Sequence, residues 1–412
     1  MRPEEVELRL LDCVRCSTCR EVCPTYRVIG KESATPRGRI ALMLAEYRGE
    51  IPLDEKFKSL IDLCTGCRAC EAACPSGVQY GALLEYYRAK IRKKYPPRGV
   101  AGVADRVGLH WLMPNRARLR FTVRALRLYQ KPALRKPIRA LLPRKLKRLE
   151  AMAPPIKRVP ASDAVPVPVE GTPRAEVNFF TGCVASAALP HVDEATLRVL
   201  ARAGCKVVVP PSQTCCGAAH AHQGDLEFAK QLARKNIDAF PGDAPIITNA
   251  GGCGAMLKEY DKLLADDPEY REKAKAFVKR VTDITQYLAE HGMPEPTREM
   301  PITVAIHDSC HLTNVLKAKQ APRRLLKAIP KLVVREPEGN DICCGSGGVY
   351  NLLQPDVADE LLKYKVECIA KTGATVLATT NPGCYMHLQR GLEEKGIRVA
   401  HVVELVEEAT RR

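Results

Sequence analysis

Cys13-Val14-Arg15-Cys16-Ser17-Thr18-Cys19-Arg20-Glu21-Val22-Cys23-Pro24 returns fifty-one residues later as Cys64-Thr65-Gly66-Cys67-Arg68-Ala69-Cys70-Glu71-Ala72-Ala73-Cys74-Pro75. Both runs read C-x2-C-x2-C-x3-C-P, the spacing with which bacterial chains hold cubane iron–sulfur clusters. Three thiolates two residues apart on a tight loop can each reach a different iron of one cubane. The fourth, set before a helix-breaking proline, points away to the other cubane. The spacing therefore assigns Cys13, Cys16, Cys19 and Cys74 to one [4Fe-4S] cluster and Cys64, Cys67, Cys70 and Cys23 to a second. The competing reading is a pair of four-cysteine zinc sites. Their ligands usually come as two separated C-x2-C pairs, and neither run has that form.

Between the two runs, Ile40, Met43, Leu44 and Tyr47 fall at i, i+3, i+4, i+7 and predict a helix over 38–49. Thr35-Pro36-Arg37-Gly38 reads as the turn leading into it. The first part of the chain is thus a helical dicluster domain.

The whole chain has 412 residues, 46% hydrophobic and 27% charged, a globular composition long enough for two or three domains. Its 18 cysteines would suggest a disulfide scaffold in a short exported chain. This one is long, opens on Met1-Arg2-Pro3-Glu4-Glu5 without the apolar core of an export signal, and clusters its cysteines at metal-ligand spacings. The expectation is a reducing, cytoplasmic location. No run approaches the roughly 18 consecutive apolar residues of a membrane span.

The formal net charge is +17, and it is unevenly placed. Residues 88–160 hold 22 Lys and Arg against two acids, Asp105 and Glu150, so the rest of the chain sums to about −3. Prolines break this segment into short amphipathic pieces, one of them lined by Leu119, Val123 and Leu126. Three readings compete. The segment is a solvated basic surface over an acidic partner subunit, or a peripheral contact with an anionic membrane face through Trp111, Phe121 and its leucines. Nucleic acid is the weakest and is not expected, because no reader module accompanies the charge. From Pro154 to Pro173 the composition turns to Pro, Val and Ala, a semi-rigid linker.

From residue 176 the chain duplicates itself. The apolar run Glu176–Phe180 leads to Cys183, and Ile302–Ile306 leads to Cys310. Cys215-Cys216-Gly217 is matched by Cys343-Cys344-Gly345, and Ile246–Cys253 by Val376–Cys384. Helical stretches at 192–202, 225–240 and 356–371 alternate with these strands, which implies two α/β halves with parallel sheets. The cysteines then lie at the carboxyl ends of strands, where open α/β sheets place ligands, so both sites should face a shared crevice. Adjacent cysteines strain to occupy two vertices of one zinc tetrahedron, whereas a polynuclear iron–sulfur cluster spreads them over different irons. The glycine after each pair permits a sharp turn and close backbone approach. The sets are Cys183, Cys215, Cys216 and Cys253 in the first half, and Cys310, Cys343, Cys344 and Cys384 in the second. Cys205, opening a Val-rich strand, and Cys368, mid-helix, have no partners by spacing and read as buried thiols. No convincing Gly-rich dinucleotide fingerprint is present, so no flavin or NAD is expected on this chain, and no group for oxidising a hydroxyacid by hydride transfer stands out.

Two C-x2-C-x2-C-x3-C-P motifs followed by two C…CCG…C units resemble the iron–sulfur subunit family of glycolate oxidase. That family lies within the cysteine-rich CCG electron-transfer proteins, together with heterodisulfide reductase subunits and the anaerobic glycerol-3-phosphate dehydrogenase C subunit. The strongest echoes are Cys23-Pro24-Thr25-Tyr26, residues 33–40, His307-Asp308-Ser309-Cys310-His311-Leu312, residues 343–355 and Asn381-Pro382-Gly383-Cys384. The resemblance implies an α+β multidomain chain, with a dicluster ferredoxin domain at 1–90, a basic Pro-rich helical connector at 91–175, and CCG domains at 176–298 and 299–412. It implies an electron-transfer subunit accepting electrons from a separate FAD-binding 2-hydroxyacid dehydrogenase and passing them to a quinone or another carrier. Cofactors implied are two [4Fe-4S] clusters and a further iron–sulfur cluster, ordinary or non-cubane, in the CCG domains. The alternative is a heterodisulfide reductase-like subunit that reduces a disulfide at a CCG-bound cluster. In that branch the last cysteine belongs to a C-x2-C pair, and here Met256 and His387 stand at those positions, which argues against disulfide chemistry. His307 and His311 flank Cys310 and are read either as proton shuttles or hydrogen-bonding neighbours that tune the second CCG site, or as packing residues. His387 is read as a hydrogen-bonding residue, with ligation as the alternative.

Overall fold

A computed structural model describes residues 3–143, 147, 150, 156, 159, 165–169 and 171–411. The first part is wholly helical. The helix expected at 38–49 is Pro36–Tyr47, beginning two residues early. Thr35 explains the earlier start: its side chain caps the helix by accepting from the Gly38 amide, and Pro36 takes the first position, where no backbone donor is needed. Ile40, Met43 and Leu44 pack against Val6, Phe57, Ile61, Leu83 and Tyr87 in one core. Burying each such side chain stabilises the domain by about 1.5–3 kcal/mol.

The duplicated part forms two four-stranded, all-parallel sheets of identical order. The first runs β2-β1-β3-β4 with β1 Ala175–Phe180, β2 Cys205–Val208, β3 Ile246–Thr248 and β4 Val281–Asp283. The second runs β6-β5-β7-β8 with β5 Thr303–Ile306, β6 Val333–Arg335, β7 Val376–Thr379 and β8 Arg398–His401. Helices Pro190–Arg202, Leu226–Ala239 and Pro355–Ala370 lie within a residue or two of the expected stretches. Along β1 successive side chains face opposite ways, so Phe179 enters a core shared by the two halves while Phe180 enters one belonging to the first half alone. The shared core joins Val177, Val199 and Leu200 to Val304, Leu388 and Val403. The halves are therefore a fused pair rather than independent beads.

The basic connector holds helices Gly99–Ala104, Arg116–Tyr129 and Pro132–Leu141 and a π-helical stretch Asp105–Leu112. The face expected from Leu119, Val123 and Leu126 packs inward, against the shared core, with Leu119 also touching the first half's own core. Most of the Pro/Val/Ala linker lies outside the described residues. Among the described residues no helix is long and apolar enough to cross a membrane.

Candidate iron–sulfur centres

The two ferredoxin-type loops are bent alike. Arg15 and Ser17 in the first, and Gly66 and Arg68 in the second, take left-handed backbone conformations on either side of the middle cysteine. For three of the four this is a strained choice, costing on the order of 1–2 kcal/mol each. It curls the loop so that three thiols converge. Cys13, Cys16, Cys19 and Cys74 line one cavity together with Cys70, Ile40, Val78 and Tyr80. Arg37 braces the first loop, donating to the Arg15 carbonyl at 3.1 Å, to Ser17 Oγ, and to Glu32 at 2.6 Å. Cys16 is exposed.

The second set is interior. Cys23, Cys64, Cys67 and Cys70 are all buried. Tyr80 Oη lies 3.6 Å from Cys64 Sγ, the Gly66 amide 3.4 Å from the same sulfur, and Thr25 Oγ1 3.3 Å from Cys23 Sγ. Arg39 is almost fully buried here, donating to the Leu60 carbonyl at 2.9 Å and to Thr25 Oγ1 at 3.1 Å, and Arg88 donates to the Cys64 carbonyl at 2.6 Å. Burial alone would push the Cys64 thiol up, but the Arg39 and Arg88 guanidiniums outweigh it and hold the thiol below its ordinary value. Burial and the neighbouring Cys310 push the Cys67 thiol up. Such a cage of thiols suits metal binding, which supplies the positive charge that thiolates need when taken out of water.

Each α/β half repeats one arrangement. Cys183 and Cys253 follow β1 and β3, and Cys310 and Cys384 follow β5 and β7. These strand pairs flank the point where strand order reverses, the usual ligand edge of an open sheet. Cys183 Sγ lies 3.5 Å from Cys215 Sγ, and Cys216 and Cys253 interact in turn. In the second half Cys310 meets Cys343, and Cys344 meets Cys384. Gly217 and Gly345 take φ of +87° and +90°, and a Cβ on Gly345 would press to 2.9 Å from the Ala358 carbonyl, so the glycines serve the sharp turn expected of them. Asn381 Nδ2 donates to Cys384 Sγ at 3.5 Å. His387 is buried on the helix Pro382–Leu392, one turn past Cys384, and desolvation pushes it down to about 4. His311 Nδ1 lies 3.6 Å from Cys310 Sγ.

The two CCG sites do face each other, but across packed protein. The helix Gly251–Lys258, which carries Cys253, lies on the helix Cys310–Asn314, with Leu312 against Gly251. The Gly252 amide donates to Asn381 Oδ1 at 3.0 Å. The second ferredoxin-type loop sits directly on the second CCG site: Cys67, Cys310 and Cys343 share one apolar cluster, and Tyr350 Oη donates to the Leu63 carbonyl at 2.9 Å. Cys205 and Cys368 are buried, as expected of spare thiols, with Cys205 Sγ 3.5 Å from Tyr287 Oη.

Arg39, Arg88 and Lys365 are the functional candidates that spacing alone missed. Arg39 had a signal: it falls between Pro36 and Met43 on the apolar face of its helix, where an arginine needs a buried partner.

The comparisons with known proteins agree with this geometry. A 4Fe-4S dicluster domain model matches residues 9–78, and a cysteine-rich domain model matches 177–258 and again 304–389. The probable glycolate oxidase iron–sulfur subunit of Bacillus subtilis is 41% identical, across 98% of this chain and 94% of that protein. The glycolate oxidase iron–sulfur subunit of Escherichia coli is 31% identical, across 100% of this chain and 97% of that protein. Lactate utilization protein A of Bacillus subtilis is 30% identical over 56% of this chain and 98% of its own length. With its dicluster domain, its two cysteine-rich repeats and full-length similarity of this order, the chain belongs to the glycolate oxidase iron–sulfur subunit family and is an iron–sulfur electron-transfer protein.

Proposed function

We propose that this chain takes electrons from the FAD of a partner 2-hydroxyacid dehydrogenase subunit, of the glycolate or lactate type, and delivers them singly to a quinone or similar acceptor. The observation that carries the reading is the grouping of the thiols: exposed Cys16 lines one cavity with Cys19, Cys70 and Cys74, and Cys67 of the second loop shares an apolar cluster with Cys310 and Cys343. Cys13, Cys16, Cys19 and Cys74 would hold one [4Fe-4S] cluster, Cys23, Cys64, Cys67 and Cys70 a second, and the CCG cysteines at least one more. Bound there, such clusters accept and release one electron each, which divides the two-electron chemistry of a flavin. The chain's own residues keep the interior centres dry and place Arg39 and Arg88 where negative charge would arrive.

Exposed Leu8, Leu11 and Val14 border the Cys16 loop and suit a partner surface. The test is anaerobic stopped-flow mixing of the co-purified complex with glycolate or lactate. Cluster bleaching that requires the flavoprotein supports the reading; oxidation of pre-reduced clusters by a disulfide, with no flavoprotein present, would replace it with the heterodisulfide alternative.

A second contact is favoured by the connector. Val100, Val103, Val107 and Trp111 recur at helical spacing and point outward, as do Leu134, Ile138 and Leu141, all within the strongly basic segment. Outward apolar stripes among Arg and Lys fit peripheral attachment to an anionic lipid face. Co-sedimentation with anionic but not zwitterionic vesicles is expected, and equal binding to both would count against it.

A further inference from the structure

The two CCG sites have the same cysteines but different neighbours. Three residues before its first cysteine, the first half has Phe180 and the second has His307. Eleven residues past the N-cap of the helix that follows each cysteine pair, the first half has Asn236 and the second Lys365. Three residues past the last cysteine stand Met256 and His387. At each of these positions the first half carries a neutral side chain and the second a nitrogen base.

His307 is the telling one. It is 3% exposed, at the end of β5, and among the described residues it is the histidine with neither ring nitrogen hydrogen-bonded. An imidazole buried this way, short of partners, costs on the order of 1–3 kcal/mol. Its counterpart Phe180 is 0% exposed and packs on Phe240, which shows that this position of the fold accepts an apolar ring. A ligand atom of His307 lies within 4.8 Å of the sulfurs of both Cys344 and Cys384, which themselves lie within that distance of each other. Ligands about 2.0–2.3 Å from one metal ion stand at most about 4.5 Å apart, so a small closure brings all three onto one ion. Lys365, also buried, donates to the Gly339 and Asn340 carbonyls at 3.1 and 3.3 Å and adds a cation beside the Cys343–Cys344 pair.

Resting on the iron–sulfur reading above, we propose that His307 supplies a fifth protein ligand, an imidazole nitrogen, to the iron–sulfur group held by Cys310, Cys343, Cys344 and Cys384. The group in the first half, facing Phe180, has thiolate ligands only. The two repeats therefore hold centres of different kind, and the nitrogen-ligated one is next to the second ferredoxin-type loop.

The experiment uses full-length protein purified anaerobically with 15N-histidine and 57Fe, reduced with dithionite, and read by pulsed EPR and by Mössbauer spectroscopy, which sees every iron whatever its spin state. The expected result is a strong imidazole-nitrogen coupling on one cluster signal and a distinct nitrogen-bound iron site in the Mössbauer spectrum. Both disappear in His307→Phe, the residue of the first half, and both persist in His387→Met. His307→Cys, which offers a thiolate in the same place, should keep the iron while losing the nitrogen signature. Loading of about 12 iron (one CCG group) to about 16 iron (both) per chain without any imidazole coupling in the wild-type protein overturns the proposal and leaves the electron-transfer reading standing, as does a coupling that survives His307→Phe. Loading of only about 8 iron overturns the proposal together with the assignment of a cluster to the CCG cysteines.

Discussion

The side-chain amide of Asn314 donates to the main-chain oxygen of Cys67 at 2.9 Å, joining residues from the second α/β half and the second ferredoxin-type loop. Asn314 ends the short helix that begins at Cys310, so this hydrogen bond, with the Tyr350–Leu63 bond and the Cys67–Cys343 packing, holds the two thiol sets at their separation. Asn314→Ala should leave iron content intact and slow electron passage between the centres. Freeze-quench EPR of the substrate-reduced complex checks this, and unchanged filling of the later cluster would show that the bond does not set the spacing.

Cys74 tests the exchange of ligands between the loops. Its substitution by Ala should remove about four irons and the signal of the exposed cluster, while the signal of the buried one persists. Cys23→Ala should do the reverse. If each variant instead depletes the cluster nearest in sequence, the crossed assignment is wrong.

Arg39 and Lys365 are buried cations beside different thiol sets. A cation near a cluster favours its reduced, more negative state. Arg39→Met should lower the potential of the cluster at Cys23 and Cys64 by on the order of 100 mV, about 2–3 kcal/mol of charge interaction. Arg39→Lys should recover most of it. Lys365→Met should instead lower the potential of the second CCG group. Spectroscopic redox titration separates the two effects.

Arg68 reaches from the second loop to Glu259 of the first α/β half, at 2.7 Å to both carboxylate oxygens, and also holds Glu71 at 2.6 Å. Burial would raise the Glu259 carboxyl, but Arg68 outweighs it and holds the group below its usual range. Glu259→Gln should destabilise the docked arrangement by about 1–3 kcal/mol, since Arg68 keeps Glu71 as a partner. A lower apparent melting temperature of the holoprotein, with early exposure of the second loop to proteases, is the expected readout.

His401 caps the last helix by accepting from the Val403 amide at 3.1 Å, and burial pushes it down to about 4. Because the folded state resists protonation there, its contribution is complete above about pH 6.5 and is lost as pH falls toward 4. Urea unfolding of the holoprotein should show stability falling over that window by up to about 3 kcal/mol. His401→Asn, which keeps a capping acceptor, should flatten the slope.

Much of this was legible in the sequence because metal ligands leave rigid spacings. Cys13 to Pro24 and its copy located both ferredoxin-type sets, and the strand–cysteine–glycine order located both CCG sets. What spacing could not convey was who sits beside whom across hundreds of residues. Cys67 against Cys343, Arg68 against Glu259, and Asn381 against Gly252 are products of tertiary packing, with no local pattern to betray them. The connector was half legible: Leu119, Val123 and Leu126 form the stripe that periodicity predicts, yet periodicity does not say that they face a core and not a lipid.

The burial of the second loop between the helical domain and the second α/β half also sets an order of access. Cys67 and Cys343 lie in one apolar cluster, while Cys16 remains at the surface. Iron and sulfide have a direct approach to the outer loop, and approach the inner set by way of the cavity lined by Cys64, Arg88 and Tyr350. The outer cluster is therefore expected to be the first that a chelator strips and the inner one the last.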